Sequence, residues 1–490
     1  MTKRKIISAA LAALALTLCS CSTVSDSGDL PMPPPNTFPP QNSVSETTAE
    51  TTTAVVTEAQ TTAVVVPSTE AAELLRGNIY DVKGRLLSST NTDIAEPRRI
   101  YAEEYAVPFA NVITEMSDGY DTAFNDKLTV KNPSPVNGSD KVGQSIQITL
   151  DADIQKKLYE YMQSVNLDGT VVVMRTDGSI MAQVSYPSYD PNAVAEQKYD
   201  EKLAWGDCGN KAFQNYQPGS CFKIMSEVIA DKHGITSLYD DGEWKFDGTS
   251  IVNWDHDTNP NYPMERSLAS AFVNSSNIFF AKAFDEIGTE AVLADLDELF
   301  HFGTDIECDF GPIHNNIEIY CSDDLRRTAF GQSYILTCPI YLAALGREAA
   351  FGDMVRPFVL KNTVDTADPS SVTGSGSRPG EVIASIPENL RPNLLEGMRG
   401  VASNLGVYVP AGYTLYAKTG TAETWEGDFL YITGCLKKSS DSGFDSYDYS
   451  SYNGSYVIVM ELQNPGAHGF SFASDSAQIY QGVINTVLGS

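Results

Sequence analysis

The chain has few basic residues and lacks the residue patterns that hold metals. Its 490 residues include 33 Lys and Arg against 63 Asp and Glu, a formal net charge of -30 at pH 7. A surface of this sign repels phosphate backbones, which argues against a nucleic-acid partner. The eight cysteines form no C-x-x-C pair, the five histidines are scattered and no H-E-x-x-H occurs, so we expect neither a metal nor another cofactor. The stretch Asp255-His256-Asp257 is interpreted as a polar loop.

The N-terminus has the features of an export signal. Three basic residues at 3–5 precede an apolar run at 6–18 that suits a signal peptide and is too short to span a bilayer. The run ends in LCSC, which resembles a bacterial lipobox; this implies cleavage before Cys21 and lipidation of its thiol. An ordinary export signal and an uncleaved anchor are the alternatives. Residues 1–21 are predicted to be a lipoprotein signal peptide, with the protein anchored by lipid to the outer face of the bacterial cytoplasmic membrane.

Residues 22–72 differ in composition from everything after them. They are rich in Ser, Thr, Pro and Ala and almost free of aromatic side chains, so they cannot bury a core and are predicted to form a disordered tether. About fifty coil residues span roughly 40 Å on average, enough to hold a folded body away from a membrane. The rest of the chain is divided into a small module at 73–147 and a large domain at 148–490.

The folded part begins and ends with strand signals. A hairpin is predicted from 78–82 and 85–88, and a second pair of antiparallel strands meets at Thr176-Asp177-Gly178. Asp151 is expected to cap a helix whose apolar residues recur at every fourth position, namely Ile154, Leu158 and Met162.

Helical signals dominate from 220 to about 404, and strands return near the C-terminus at 414–417, 429–436 and 456–462. Strands at both ends of the domain with helices between them predict an α+β fold, with an antiparallel sheet closed by its termini and flanked by helices. The polar segment 437–455 is predicted to be a flexible loop. Cys308 and Cys321 could form a disulfide, but their spacing in the sequence does not decide whether they do.

A short stretch, NYQPGSCFKIM, carries the first chemical signal. Pro218 and Gly219 indicate a turn, and the residues that follow indicate a helix. Ser220 and Lys223 are three positions apart, so they share one helical face. A hydroxyl beside an amine can be a nucleophile with its base. The alternative is a helix-capping serine with a solvated lysine.

Two later tripeptides favour the chemical interpretation. The first is Ser275-Ser276-Asn277, which alone would more often start a helix. The second is Lys418-Thr419-Gly420, which alone would more often end a strand. The set S-x-x-K, S-x-N and K-T-G in this order is the known signature of penicillin-binding proteins and class A β-lactamases.

Each residue type suits a step of acyl transfer. A serine hydroxyl needs a base, and Lys223 can be that base only with a neutral amine, which burial and a second cation at Lys418 would favour. Ser275 can relay a proton to a leaving amine, and the amide of Asn277 can bind a peptide bond.

The K-T-G segment is expected to bind substrate. The hydroxyls of Thr419 and Thr421 can hold a carboxylate, and Gly420 lets substrate lie close against the strand. The backbone N–H groups of Ser220 and Thr421 are candidates for an oxyanion hole.

The chain resembles class B penicillin-binding proteins, the monofunctional peptidoglycan D,D-transpeptidases, of the short-pedestal kind. The segments that carry the resemblance follow one another in family order: RGNIYDVKGRLL, SYPSYDPN, PGSCFK, SSNIFF, FGQSYILTCP and KTGTAE. The resemblance implies a pedestal at 73–147, a transpeptidase domain with a helical subdomain at 148–490, and peptidoglycan stem peptides and β-lactam antibiotics as ligands. Penicillins would acylate Ser220. The resemblance leaves open whether the protein associates with the cell-wall synthesis machinery.

Two other functions remain open at this point. A D,D-carboxypeptidase or β-lactamase would use water as acceptor, although no E-x-x-L-N segment follows the S-x-N motif as a class A β-lactamase would require. A tethered β-lactam sensor or scaffold would need no catalysis, but the three intact motifs argue against it.

Overall fold

The computed structural model describes residues 74–91, 98–114, 119–195, 209–424, 427–443, 449, 452 and 454–489. The predicted signal peptide with Cys21 and the predicted tether at 22–72 lie outside these residues. Within them, no helix has both the length and the apolar character needed to cross a bilayer.

The described residues form strands and helices that mix along the chain. The strands are β1 (Ile79–Tyr80), β2 (Leu86–Asn91), β3 (Arg98–Tyr101), β4 (Ser145–Ile148), β5 (Gly169–Arg175), β6 (Ile180–Tyr186), β7 (Ser237–Asp240), β8 (Glu243–Phe246), β9 (Thr249–Val252), β10 (Met264–Ser267), β11 (Ile306–Cys308), β12 (Gly311–Ile313), β13 (Asn316–Glu318), β14 (Tyr334–Leu336), β15 (Asp353–Val355), β16 (Leu360–Val364), β17 (Val372–Ser375), β18 (Val382–Ser385), β19 (Tyr413–Thr424), β20 (Gly427–Lys438) and β21 (Tyr456–Gln463). The helices are α1 (Ala106–Ile113), α2 (Tyr120–Ala123), α3 (Asn125–Leu128), α4 (Ala152–Ser164), α5 (Pro191–Ala195), α6 (Lys223–Lys232), α7 (Leu268–Val273), α8 (Asn277–Ile287), α9 (Thr289–Phe300), α10 (Ser322–Thr328), α11 (Pro339–Phe351), α12 (Arg391–Leu405) and α13 (Ala477–Leu488).

A five-stranded antiparallel sheet forms the centre of the large domain. Its order is β19-β20-β21-β5-β6, so the last three strands of the chain join the first two of the domain. The predicted α+β class and the sheet closed by its termini are confirmed. Strand β19 is longer than predicted, because its pairing with β20 continues through the K-T-G tripeptide to Thr424 opposite Gly427. Gly420 is therefore inside a strand, although a Thr-Gly pair usually indicates a turn.

Helices cover both faces of this sheet, which explains why the inner strands β5 and β21 are buried along almost their whole length. Helices α4 and α13 pack on one face, where Tyr480 donates a hydrogen bond to the Ile458 carbonyl at 3.0 Å. Helix α11 lies against the other face and is buried along almost its whole length. Asp151 caps α4 as predicted, since its carboxylate accepts from the N–H groups of Asp153 and Ile154.

A second sheet joins the early module to the large domain. Its order is β17-β16-β4-β1-β2-β3, so two strands from 360–375 complete a sheet that begins at residue 79. The predicted boundary between 147 and 148 falls inside β4. Local signals could not indicate this, because the partners in β4 and β16 are far apart in sequence.

Helices α6 to α10 and α12 form a subdomain beside the edge strand β19. Helix α6 packs against α7, α8, α9 and α12, and α12 contacts β19. All three sequence motifs converge at the junction of this subdomain with the sheet: the turn before α6, the link between α7 and α8, and the middle of β19.

The segment 437–455 and the cysteines at 308 and 321 lie partly or wholly within the described residues. In the segment 437–455, predicted as a flexible loop, Tyr452 Oη donates to Asp151 at 3.0 Å and Tyr449 Oη to Asp177 at 3.0 Å, so these two side chains contact the folded body. Cys308 and Cys321 are not bonded to each other.

The central strand β21 offers a test of the core. Val457 is 0% exposed, between β20 and β5, whereas Val372 on the edge strand β17 is 59% exposed. Val457→Ala should lower the free energy of unfolding by about 2–3 kcal/mol, because buried methyl groups are lost and a cavity remains. Val372→Ala should change it by less than about 0.5 kcal/mol. Chemical denaturation measures both, and equal effects would contradict the assigned sheet order.

Candidate active site

Ser220 lies in a tight turn immediately before helix α6. Residues Gly219–Phe222 form a single 3-10 turn, and α6 begins at Lys223. Gly219 has φ +53°, a left-handed conformation that glycine adopts without strain. The helix-capping alternative for Ser220 is not observed, because the residue before the 3-10 turn is Pro218 and the residue before α6 is Phe222.

The amine of Lys223 is the meeting point of two motifs. The side chain is 0% exposed, and Nζ lies 3.0 Å from Ser220 Oγ. The same nitrogen lies 2.8 Å from the Ser275 carbonyl oxygen and 3.2 Å from Ser275 Oγ. It is also 2.7 Å from Asn277 Oδ1. The structure thus brings the S-x-x-K and S-x-N motifs into direct contact.

The S-x-N motif links two helices. Ser275 follows the end of α7 with φ +55°, and Ser276 is the N-cap of α8, with its Oγ accepting from the N–H of Phe279 at 3.0 Å. The helix-start interpretation is therefore correct for Ser276. The flanking residues Ser275 and Asn277 face Lys223 at the same time. The segment therefore both starts a helix and contacts the lysine amine.

Lys418 brings the third motif to the same point. It is 0% exposed on β19, and its Nζ donates to Ser275 Oγ at 3.1 Å and to the Thr419 carbonyl at 2.9 Å. Ser275 Oγ consequently lies between the two amines of Lys223 and Lys418.

The two buried amines favour a neutral base. Burial lowers the pKa of Lys223 well below its ordinary value, and the charge of Lys418 lowers it further, while Asp240 acts in the opposite direction. Burial lowers the pKa of Lys418 to about 8. Burial and the charge of Lys418 thus both favour the neutral form of Lys223, while a pKa of about 8 leaves Lys418 mostly cationic at neutral pH.

The structure explains the glycine at position 420 differently from the sequence, which suggested that it makes room for substrate. A Cβ at this position would lie 2.8 Å from the Pro218 carbonyl oxygen and 3.0 Å from Cys221 Sγ. The missing side chain therefore lets β19 pack against the Ser220 turn, and the contact seen is with protein. Thr419 and Thr421 alternate with Lys418 and Gly420 along this edge strand and are half-buried.

Sequence reasoning did not identify several neighbours of the site. Gly331 accepts a hydrogen bond from Gly219 N at 3.1 Å, and a Cβ on Gly331 would lie 2.0 Å from the Gly219 carbonyl oxygen, so it fixes the Ser220 turn. Trp254 and Phe472 are 60% and 45% exposed and meet edge to face at 5.6 Å. No pattern in the sequence indicates these two rings.

The segment Asp255-His256-Asp257 behaves as the predicted polar loop. Asp255 accepts hydrogen bonds from Tyr262 Oη at 2.6 Å and from Asn259 at 2.8 Å. Throughout the part of the chain that the structure describes, no group of three or more His, Cys, Asp or Glu side chains could hold a metal ion.

Comparison with known proteins gives a consistent result. Residues 169–483 match the family model described as the penicillin binding protein transpeptidase domain. Penicillin-binding protein 3 of Bacillus subtilis is 29% identical over 357 residues, which cover 68% of this chain and 49% of that protein. Peptidoglycan D,D-transpeptidase PbpA of Mycobacterium tuberculosis is 28% identical over 321 residues, covering 58% of this chain and 62% of that protein. The chain thus spans about half the length of the first of these relatives.

Solved structures share the fold. Penicillin-binding protein A from M. tuberculosis, as an imipenem acyl-enzyme complex, matches 85% of this chain and 99% of its own, with a TM-score of 0.68 and 22% identity. The D,D-transpeptidase domain of a peptidoglycan glycosyltransferase from Eggerthella lenta gives a TM-score of 0.66 at 20% identity, with 85% and 99% covered. With the family model matching well over half of its length, the chain belongs to the penicillin-binding protein transpeptidase family, as a class B penicillin-binding protein.

Proposed function

We propose that this protein is a serine acyl-transferase that cross-links peptidoglycan stem peptides, a D,D-transpeptidase, and that penicillins acylate it at Ser220. The observation that carries the proposal is the buried Lys223 amine 3.0 Å from Ser220 Oγ. The relatives named as D,D-transpeptidases and the acyl-enzyme structures of the same fold support the reaction class.

The contacts of Lys223 suit a neutral amine. A neutral amine has two N–H donors and one lone pair, and two of its neighbours, the Ser275 carbonyl and Asn277 Oδ1, can only accept. When the two N–H groups donate to these oxygens, the lone pair is left for the hydroxyl proton of Ser220. Lys223 then acts as the general base for attack by Ser220.

The reaction follows from this proton transfer. Ser220 Oγ attacks the carbonyl carbon of the D-alanyl-D-alanine bond while its proton passes to Lys223. Collapse of the tetrahedral intermediate breaks the C–N bond, and the leaving D-alanine takes a proton from Lys223 through Ser275 Oγ, which lies 3.2 Å from that amine. The amine of a second stem peptide then attacks the ester, returns the proton to Ser220 and releases the cross-linked product. With a penicillin the β-lactam amide opens instead, so the leaving group stays attached.

The K-T-G strand is assigned to substrate binding. Cationic Lys418 and the hydroxyls of Thr419 and Thr421 bind the terminal carboxylate, and the backbone N–H groups of Ser220 and Thr421 stabilise the oxyanion. Gly420 permits the close approach of this strand to the Ser220 turn. The amide of Asn277 binds the substrate peptide bond.

The parts of the chain before residue 74 extend the proposal to location. The lipobox supports lipidation of Cys21, and the composition of 22–72 supports a tether to the outer face of the bacterial cytoplasmic membrane. The module at 73–147 serves as the pedestal of the transpeptidase domain at 148–490. Contact with the cell-wall synthesis machinery is consistent with such a position.

Intact mass after exposure to penicillin, with peptide mapping, tests the proposed function. We expect one covalent adduct on the peptide that contains Ser220, and none in Ser220→Ala. Ser226→Ala is the matched control, because Ser226 lies on α6 and its buried hydroxyl donates to the Ala329 carbonyl at the end of α10; this variant should keep the adduct. A Ser220→Ala protein that still carries the adduct would overturn the assignment. An acyl-enzyme that hydrolyses within seconds would instead indicate water as the acceptor, as in a β-lactamase.

The pH dependence of acylation gives a second prediction. The rate should fall at low pH, as Lys223 takes up a proton, and above a pH of about 8, as Lys418 loses its charge. Lys418→Met removes the charge that lowers the pKa of Lys223, so the acidic limb should move to higher pH and the alkaline limb should disappear. The second-order rate constant should fall about 10–100-fold at neutral pH with the loss of a charged hydrogen bond to the carboxylate.

Lys437 is the control for this pH profile. It lies on β20 and donates to the Ala350 carbonyl at 3.0 Å, away from the three motifs. Lys437→Met should leave both limbs unchanged. A Lys418→Met profile that matches the wild type would show that Lys418 does not set either limb.

A further inference from the structure

The segment that contacts Lys223 has a backbone that must be held in place. Ser275 has φ +55°, a left-handed conformation that costs about 1–2 kcal/mol for a residue other than glycine. Ser275 and Asn277 together supply the carbonyl and side-chain oxygens around Lys223 Nζ at 2.7–3.2 Å. A small shift of this segment would therefore change the contacts of the amine.

Asn253 holds the start of helix α8 from outside the cleft. It follows strand β9, and its Oδ1 accepts from the N–H groups of Asn277 at 2.7 Å and of Ile278 at 3.2 Å. These donors belong to the first turn of α8, so no carbonyl within the helix can accept from them. Asn253 thus replaces the missing acceptors and fixes the backbone at Asn277.

The residue before Asn253 fixes the side chain of Asn277. The Val252 carbonyl accepts from Asn277 Nδ2 at 3.1 Å, and this leaves Asn277 Oδ1 facing Lys223 Nζ at 2.7 Å. The end of β9 consequently determines both the position of Asn277 and which way its amide is turned.

A buried carboxylate orients Asn253 in turn. Asn253 Nδ2 donates to both oxygens of Asp240, at 2.9 Å each, so Asn253 Oδ1 must face α8. Asp240 is 0% exposed, and its Oδ2 also accepts from Arg266 Nε at 2.7 Å and from Ser276 Oγ at 2.7 Å. One carboxylate therefore holds both Asn253 and the N-cap of α8.

We propose that Asn253 and Asp240 are positioning residues for the acylation step, which hold Ser275–Asn277 so that the Lys223 amine faces Ser220. The inference rests on the proposed function and deepens it. Neither residue contacts the reacting atoms; they act through Asn277 and Ser276. Sequence reasoning had no motif for either residue, since Asn253 and Asp240 are distant from both tripeptides along the chain.

Saturation kinetics of acylation by a fluorescent penicillin test the inference, because they separate the acylation rate constant from the dissociation constant. Asn253→Ala and Asp240→Asn should each lower the rate constant about 10–100-fold, since misplacement of a catalytic group by about 1 Å has an effect of this size. The dissociation constant should change much less. Ser276→Ala should lower the rate constant in the same direction, and Ser276→Thr, which keeps the hydroxyl, should restore it to within about 3-fold.

The ion pair between Arg99 and Asp121 provides a matched control for Asp240. Its side chains are 4% and 0% exposed, as are those of the Arg266–Asp240 pair, but it lies in the early module. Asp121→Asn should lower the melting temperature as Asp240→Asn does and leave the acylation rate constant unchanged. An unchanged rate constant in Asn253→Ala, or an equal fall in Asp121→Asn, would overturn the inference.

Hydrogen exchange gives a readout that does not depend on acylation. Peptides covering 275–279 should exchange faster in Asn253→Ala than in the wild type, and should be unchanged in Asp121→Asn. Failure of the wild type to react with penicillin would count against the proposed function, and the exchange of these peptides would then decide the inference alone. Exchange at the wild-type rate in Asn253→Ala would refute it.

Discussion

The structure depends on one lysine amine that is buried without a carboxylate directly against it. Taking a charged ammonium out of water costs several kcal/mol, so a buried amine without a counter-ion in contact gives up its proton. The contacts of Lys223 are with two hydroxyls, a carbonyl and an amide oxygen, none of which carries a negative charge that would compensate a cation. The packing of the helical subdomain against the edge of the central sheet shields this amine from solvent.

The site holds two buried amines, Lys223 and Lys418, of which only Lys418 is expected to carry a charge, although the protein as a whole is strongly acidic. The net charge of -30 is spread over a surface whose field salt screens within about 8 Å. Inside the cleft, both amines contact Ser275 Oγ, and the charge of Lys418 makes the local field positive where the surface is negative. A carboxylate that enters the cleft therefore meets an attractive site that the overall charge does not reveal.

Local signals in the sequence predicted much of this molecule, and long-range pairing accounts for most of what they missed. Three kinds of prediction depend only on residues that are neighbours in the sequence: the cap at Asp151, the strand pair around Gly178 and the three motifs. The structure contains the cap and the strand pair and brings the motifs together. The pairing of β16 with β4, the hydrogen bond from Gly219 to Gly331 and the amide of Asn253 on α8 depend on residues that only the folded chain brings together. The length of β19 was missed for a related reason, because Gly420 indicates a turn until its packing against Pro218 is known.

The closure of the central sheet by its two ends has a consequence for biosynthesis. Strand β21 lies between β20 and β5, so the first two strands of the domain have an open edge until residues 456–463 are available. A ribosome makes the chain from its N-terminus, and an open edge of an apolar strand is prone to aggregate until its partner strand has been made. Ser220 and Lys223 are therefore translated long before the strand that completes the central sheet, and a nascent chain that ends before residue 456 lacks that strand. The three motifs can therefore converge beside a complete sheet only after residues 456–463 have left the ribosome.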